Sequence, residues 1–186
     1  MAGYLSYKKI VQADLTHLPL LGIYRDRFLF SIYTGLSYSD TQSLSLNNLS
    51  FRPDGHVKLT LHRTKTDVIT EMFLPRQAID ILLKYKDYAE LQITGTVLPA
   101  RSNKEMNIQI KILARICNLP LAITTHTARH SFRQLLAEAD IIEMPVIKRM
   151  MGHSRNSDID NVYYTVTESR LLEAKNKFES FLNNHL

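Results

Sequence analysis

The hydrophobic period of this chain switches from helical to alternating and back, and that switch limits the folds open to it. Between Phe51 and Leu74 the residues Val57, Leu59 and Leu61 occupy every second position, the polar run Arg63-Thr64-Lys65-Thr66-Asp67 turns the chain, and Val68 to Leu74 returns. Alternation sends successive side chains to opposite faces of a pleated sheet, so a small antiparallel β-sheet of two or three strands is expected there. On both sides the period is helical. Leu20, Ile23, Tyr24, Phe28 and Ile32, with Arg25, Asp26 and Arg27 between them, predict an amphipathic helix over Leu18–Tyr33 closed by Gly35. Ser39-Asp40 starts a short helix reaching Leu44, and Pro75 opens another with Ile79, Leu82, Leu83 and Tyr85 facing inward. Gly95 and Pro99 mark a loop before a helix over Ser102–Cys117, and Asn118–Thr124 reads as a linker. Thr125 is the expected N-cap of a helix over His126–Ala139, Pro145 and Gly152 bound a short helix, and a last helix spans Glu168–Leu182. The class is therefore α+β, mostly helical, with a small antiparallel β-sheet.

At 186 residues and 45% hydrophobic composition the chain can bury one proper core. Its net charge of +5 favours a polyanionic partner such as nucleic acid. No apolar run approaches the roughly 18 residues that cross a bilayer. The N-terminus also lacks a basic-then-apolar signal. A cytoplasmic protein with no membrane partner is expected. The single cysteine, Cys117, sits among Ile112, Leu113 and Ile116, which suits a small buried residue in a reducing compartment and offers neither a disulfide nor a zinc site. Residues 1–17 are the least patterned and read as an N-terminal linker or expression remnant.

The chemistry is concentrated in the second half. Thr125-His126-Thr127-Ala128-Arg129-His130-Ser131-Phe132 is followed by Met151-Gly152-His153-Ser154 and then by Tyr163-Tyr164. On a helix His126 and Arg129 are three residues apart and share a face, so an imidazole and a guanidinium can grip one phosphate together. His153 can complete the cradle, and a tyrosine hydroxyl can attack the phosphorus. Taken singly these residues are bland: an isolated arginine is usually a surface ion pair, a lone histidine a polar residue, a hairpin lysine a solvated charge. Their joint order argues for phosphoryl transfer on DNA.

That order, H-x-x-R, then G-H-S, then tyrosine, resembles the tyrosine recombinase (phage integrase) family over about Leu18–Leu182. The resemblance implies a tyrosine recombinase catalytic-domain fold over 18–186, with the family's N-terminal DNA-binding domain expected to be absent. It implies a site-specific recombinase or integrase of a mobile element, acting in DNA recombination and DNA integration. Such an enzyme cleaves and rejoins strands through a 3′-phosphotyrosyl intermediate without cofactor or metal. The implied partner is double-stranded DNA, bound by a homo-tetramer; an isolated domain is expected to be monomeric. Arg129, His126 and His153 then take the phosphate or act as acid and base, Lys65 in the hairpin is the general acid for the leaving 5′ hydroxyl, and Tyr164 is the nucleophile with Tyr163 as the alternative. His130 supports from behind, on another helix face. Leu171, Ala174, Phe178 and Leu182 form a stripe on the last helix that serves either its own core or a neighbouring protomer.

One position departs from the family. After Thr34-Gly35-Leu36 the family carries the first arginine of a two-arginine phosphate clamp, and here Ser37 stands in its place. Arg25, Arg27, Arg52 and Arg63 are the candidates to compensate, and the sequence does not choose among them. Asp40 is expected to order nearby basic side chains. Two other readings follow, a DNA-binding module with a decayed active site and a type IB topoisomerase-like enzyme.

Overall fold

The computed structural model describes residues 4–63, 68–153 and 166–185. Lys65, Tyr163 and Tyr164 lie outside the described residues. The helices are α1 (Tyr4–Val11), α2 (Pro19–Thr34), α3 (Tyr38–Gln42), α4 (Arg76–Tyr85), α5 (Ala89–Thr94), α6 (Asn103–Ile116), α7 (Thr125–Glu138), α8 (Met144–Met151) and α9 (Glu168–His185). Between α3 and α4 come a short 3-10 turn at Leu46–Asn48 and the strands β1 (Leu49–Phe51), β2 (Val57–His62) and β3 (Ile69–Phe73). The strands form one antiparallel sheet in the order β1-β2-β3, as the alternation predicts. Val57, Leu59 and Leu61 are buried along β2, and Leu59 pairs with Met72 of β3.

Helix α2 is the centre of the molecule, which differs from the amphipathic helix expected. Pro19 starts it and Gly35 ends it at φ 67°, with the Gly35 N–H donating to Ser31 O. It is buried on nearly every side, including Asp26 and Arg27, because those two charges find distant partners. Asp26 accepts from Tyr85 Oη at 2.8 Å and pairs with Lys84 of α4, while Arg27 donates to Pro99 O at 2.7 Å and Gln42 Oε1 at 2.8 Å. These partners offset much of the several-kcal/mol cost of burying the two charges, although Arg27 Nε is left without a hydrogen bond among the described residues. Leu20, read as an inward residue, is exposed.

Other expectations also shift. The opening segment, unpatterned in sequence, carries α1, and Tyr7, Ile10 and Leu15 are buried in the core. On α4 the buried residues are Ala78, Ile81 and Tyr85, while Leu83 is exposed. The N-cap of α7 is Thr124 and not Thr125, since Thr127 Oγ1 accepts from Thr124 N–H at 3.0 Å, closing a capping box across three residues. Thr125 is the first helical residue, fastened to α6 by Asn107 and Asn103.

Helix α9 folds onto its own chain. Leu171, Ala174, Phe178 and Leu182 are buried, and the Phe178 ring meets Phe132 of α7 edge to face at 5.6 Å. That pairing is worth about 0.5–1.5 kcal/mol beyond simple burial. The start of α9 is tied to the sheet, Glu168 accepting from Arg52 and Lys58 at 2.6 Å each. Cys117 is buried as expected, and burial pushes its thiol pKa up. No helix among the described residues is long and apolar enough to cross a membrane.

Candidate active site

The N-terminal half of α7 meets the C-terminal ends of α2 and α8, and Arg129, His153, Arg63 and Ser37 lie around that corner. Gly35 fixes the junction. A side chain there would come within 2.7 Å of the Phe132 ring, and its φ of 67° is one that side chains other than glycine rarely adopt. Glycine therefore lets α7 lie close against the end of α2, with Arg129 one turn before Phe132. Helix α8 is held on the other side by Arg149, which donates to Glu71 of β3 through Nε at 2.8 Å and Nη2 at 2.6 Å.

Arg129 spans this corner. Its Nη1 donates to Gly35 O at 2.6 Å and its Nη2 to Met151 O at 2.5 Å. Both carbonyls lie where helix dipoles present partial negative charge, so a cation is favoured there. Burial and the neighbouring positive charge of Arg63 lower the Arg129 pKa to about 10, leaving it protonated at neutral pH.

Ser37 is the N-cap of α3. Its Oγ donates to Asp40 Oδ2 at 2.7 Å, and its N–H points to the same oxygen at 3.3 Å. The hydroxyl is thus committed to local structure and carries no charge. Asp40, as expected, also orders a base: Arg63 Nε donates to Asp40 Oδ2 at 3.0 Å, and Arg63 Nη1 to Gly152 O at 3.0 Å. The other three candidate arginines are engaged elsewhere. Arg25 pairs with Asp26 and Ala13 O, Arg27 is buried against Pro99 and Gln42, and Arg52 holds Glu168.

The histidines divide. His153 follows Gly152, its N–H donating to Lys148 O at 3.0 Å. Partial burial, then the charges of Arg129, Arg63, Lys148 and Arg133, hold its imidazole below the ordinary range. It therefore stands at the cationic corner as a neutral base. His126 is exposed at the start of α7, and its Nε2 lies 2.8 Å from Nε2 of His130, the rings being perpendicular. One of the two imidazoles must donate and the other accept. His130 thus contacts His126 directly and does not occupy a separate face, as the sequence suggested.

Sequence reasoning left Arg63 as one candidate of four and gave no sign of the His126–His130 contact. The i, i+4 spacing of the two histidines could have revealed the latter. Among the described residues no group of histidine, cysteine and carboxylate side chains could hold a metal ion.

The family model described as "Phage integrase family" matches residues 7–170. No curated protein matches the chain significantly. Among solved structures, XerH site-specific recombinase bound to difH substrate in a pre-cleavage complex aligns with a TM-score of 0.63 at 12% identity, covering 93% of this chain and 47% of that one. The integrase from mycobacterium phage Brujita aligns at 0.63 and 13% identity, covering 99% and 62%. The Tn1549 transposon integrase in complex with circular intermediate DNA aligns at 0.54 and 19% identity, covering 91% and 60%. The chain thus spans between 47% and 62% of the length of these structures.

Proposed function

The chain belongs to the phage integrase family, and on that premise we propose that it is the catalytic part of a site-specific DNA recombinase or integrase of a mobile element. The observation that carries the reading is the seat of Arg129: a part-buried guanidinium held on two helix-end carbonyls beside a neutral His153, its Nε–H without a hydrogen bond among the described residues. Such a fixed cation stabilises charge developing on non-bridging oxygens, which is where phosphoryl transfer needs it.

In the proposed reaction the Tyr164 oxygen bonds to the scissile phosphorus as the bond from phosphorus to the 5′ oxygen breaks. The tyrosine proton passes to an imidazole, that of His153 or His126, and Lys65 gives a proton to the departing 5′ oxygen. A 3′-phosphotyrosyl ester remains. Attack by the 5′ hydroxyl of another strand restores a phosphodiester and frees the tyrosine, so the chemistry is isoenergetic and calls for no external energy source. Double-stranded DNA is the substrate, and exchange between two duplexes calls for four protomers. A DNA-binding module with a decayed site is the second reading, favoured by the uncharged Ser37.

The test is covalent capture. A pool of nicked suicide duplexes randomised around the nick should yield a denaturation-resistant protein–DNA adduct with the wild-type chain. Tyr164→Phe should give none while retaining DNA affinity. Attachment mapped to Tyr163 would move the nucleophile by one residue, and no adduct with the wild type would leave only the binding module.

A further inference from the structure

We infer that Arg63, reaching in from the end of the β2–β3 hairpin, is the second phosphate-binding arginine of the site and stands in for the guanidinium that Ser37 lacks. The inference rests on the recombinase reading above.

Three observations converge on it. The first is placement: Arg63 Nη1 binds Gly152 O and Arg129 Nη2 binds Met151 O, so the two guanidiniums sit on carbonyls of consecutive residues at the end of α8. The second is orientation. Asp40 Oδ2 takes the Nε–H of Arg63 and Gly152 O takes one proton of Nη1, which leaves Nη2 with no hydrogen bond among the described residues. Held at Nε and Nη1, the guanidinium keeps its Nη2 protons for a ligand, and these can meet oxygens of a phosphate. The third is charge. Two guanidiniums face one carboxylate at this corner, and the Arg63 side chain is 14% exposed, too buried for water to screen the excess fully. Arg63 adds to the effects that depress the protonation of Arg129 and of His153, which is the mark of a pocket short of an anion.

Ser37 and Arg63 share the same carboxylate oxygen, Asp40 Oδ2. A guanidinium carried at position 37 and one carried at position 63 would therefore approach the same place from two sides of Asp40. Substitution of the one by the other keeps the cation while moving it from the loop after α2 to the hairpin.

The experiment uses the full chain and a single duplex recovered from the randomised pool, with adduct formation timed. Arg63→Ala should cleave about 100-fold or more slowly than wild type, as when one donor to a developing oxyanion is removed. The double variant Ser37→Arg/Arg63→Ala should regain most of that loss, while Ser37→Arg alone should not exceed wild type, because two cations would then compete for Asp40. A methylphosphonate at the scissile position, which lacks one non-bridging charge, should narrow the gap between Arg63→Ala and wild type. Wild-type rates for Arg63→Ala overturn the inference and leave the recombinase reading intact. A slow Arg63→Ala, folded by circular dichroism, that neither Ser37→Arg nor the methylphosphonate improves overturns it as well, by making Arg63 structural. No adduct from wild type removes the recombinase reading itself.

Discussion

Gly152→Ala tests how tightly the corner is built, without any need for a DNA target. Gly152 ends α8 at φ 58°, ψ 49°, and placing alanine in that left-handed region costs about 1–2 kcal/mol. The added methyl would also lie 2.6 Å from Arg63 Cδ and closer still to the Thr70 hydroxyl. Thr70 is buried, so its side chain has little room to turn away. Arg63 must then leave Asp40 or α8 must move, an overpacking cost of about 1–3 kcal/mol. The total, about 2–5 kcal/mol, corresponds to a fall in Tm on the order of 10 °C for a chain of this size. Gly55→Ala is the control. Gly55 has φ 81° with open space where a side chain would point, so that variant pays the backbone cost alone, about 1–2 kcal/mol. Reversible urea and thermal denaturation followed by far-ultraviolet circular dichroism reads both. If Gly152→Ala were no more destabilising than Gly55→Ala, the close packing of Thr70 and Arg63 around Gly152 would be wrong.

Arg129→Ala and His126→Ala should each slow adduct formation by about two orders of magnitude or more with a smaller loss of DNA binding, measured as timed covalent capture beside a binding titration. Undiminished cleavage in either would make that residue structural. Lys65→Ala should be rescued by a 5′-bridging phosphorothioate, whose thiolate leaves without a proton, whereas Arg129→Ala should not; equal rescue of both would remove Lys65 from the acid role. The folded His153 titrates below its ordinary value of 6.5, so its contribution to stability is complete above that pH and is lost as pH falls through the lowered value. Tm should therefore fall less steeply in His153→Gln than in wild type as the pH drops below 6.5, and parallel slopes would contradict the assignment.

Local pattern revealed most of the elements and hid most of the partnerships. The β2–β3 hairpin was legible because Val57, Leu59 and Leu61 alternate against a core on one side, and the ends of α2 and α8 because Gly35 and Gly152 stop helices in a way few residues can. Helix α2 misled because Asp26 and Arg27 look like surface charges until Tyr85, Lys84, Pro99 and Gln42 arrive from far along the chain. The cap of α7 was misplaced by one residue because Thr124 and Thr125 are chemically alike, and only Thr127, three positions on, distinguishes them. Spacing put His126, Arg129 and His153 forward as candidates. It could not say which of four arginines lies at their corner, since Arg25, Arg27, Arg52 and Arg63 differ only in what they touch across the fold.

The carbonyls of Gly35 and Met151 give Arg129 a significance that counting its hydrogen bonds misses. Helix ends of this kind ordinarily repel anions. Left bare, the corner would turn a ring of lone pairs toward any phosphodiester that approached, so the scaffold by itself has the wrong polarity for nucleic acid. Arg129 reverses it by donating to both oxygens, and its Nε–H has no hydrogen bond among the described residues. Lysine, a point charge on a single stem, cannot bridge two carbonyls and still face outward in that way. On the proposed reading, loss of this arginine would leave two bare carbonyls facing the phosphate, and for the same reason Arg129→Lys is expected to be a severe substitution despite keeping the charge.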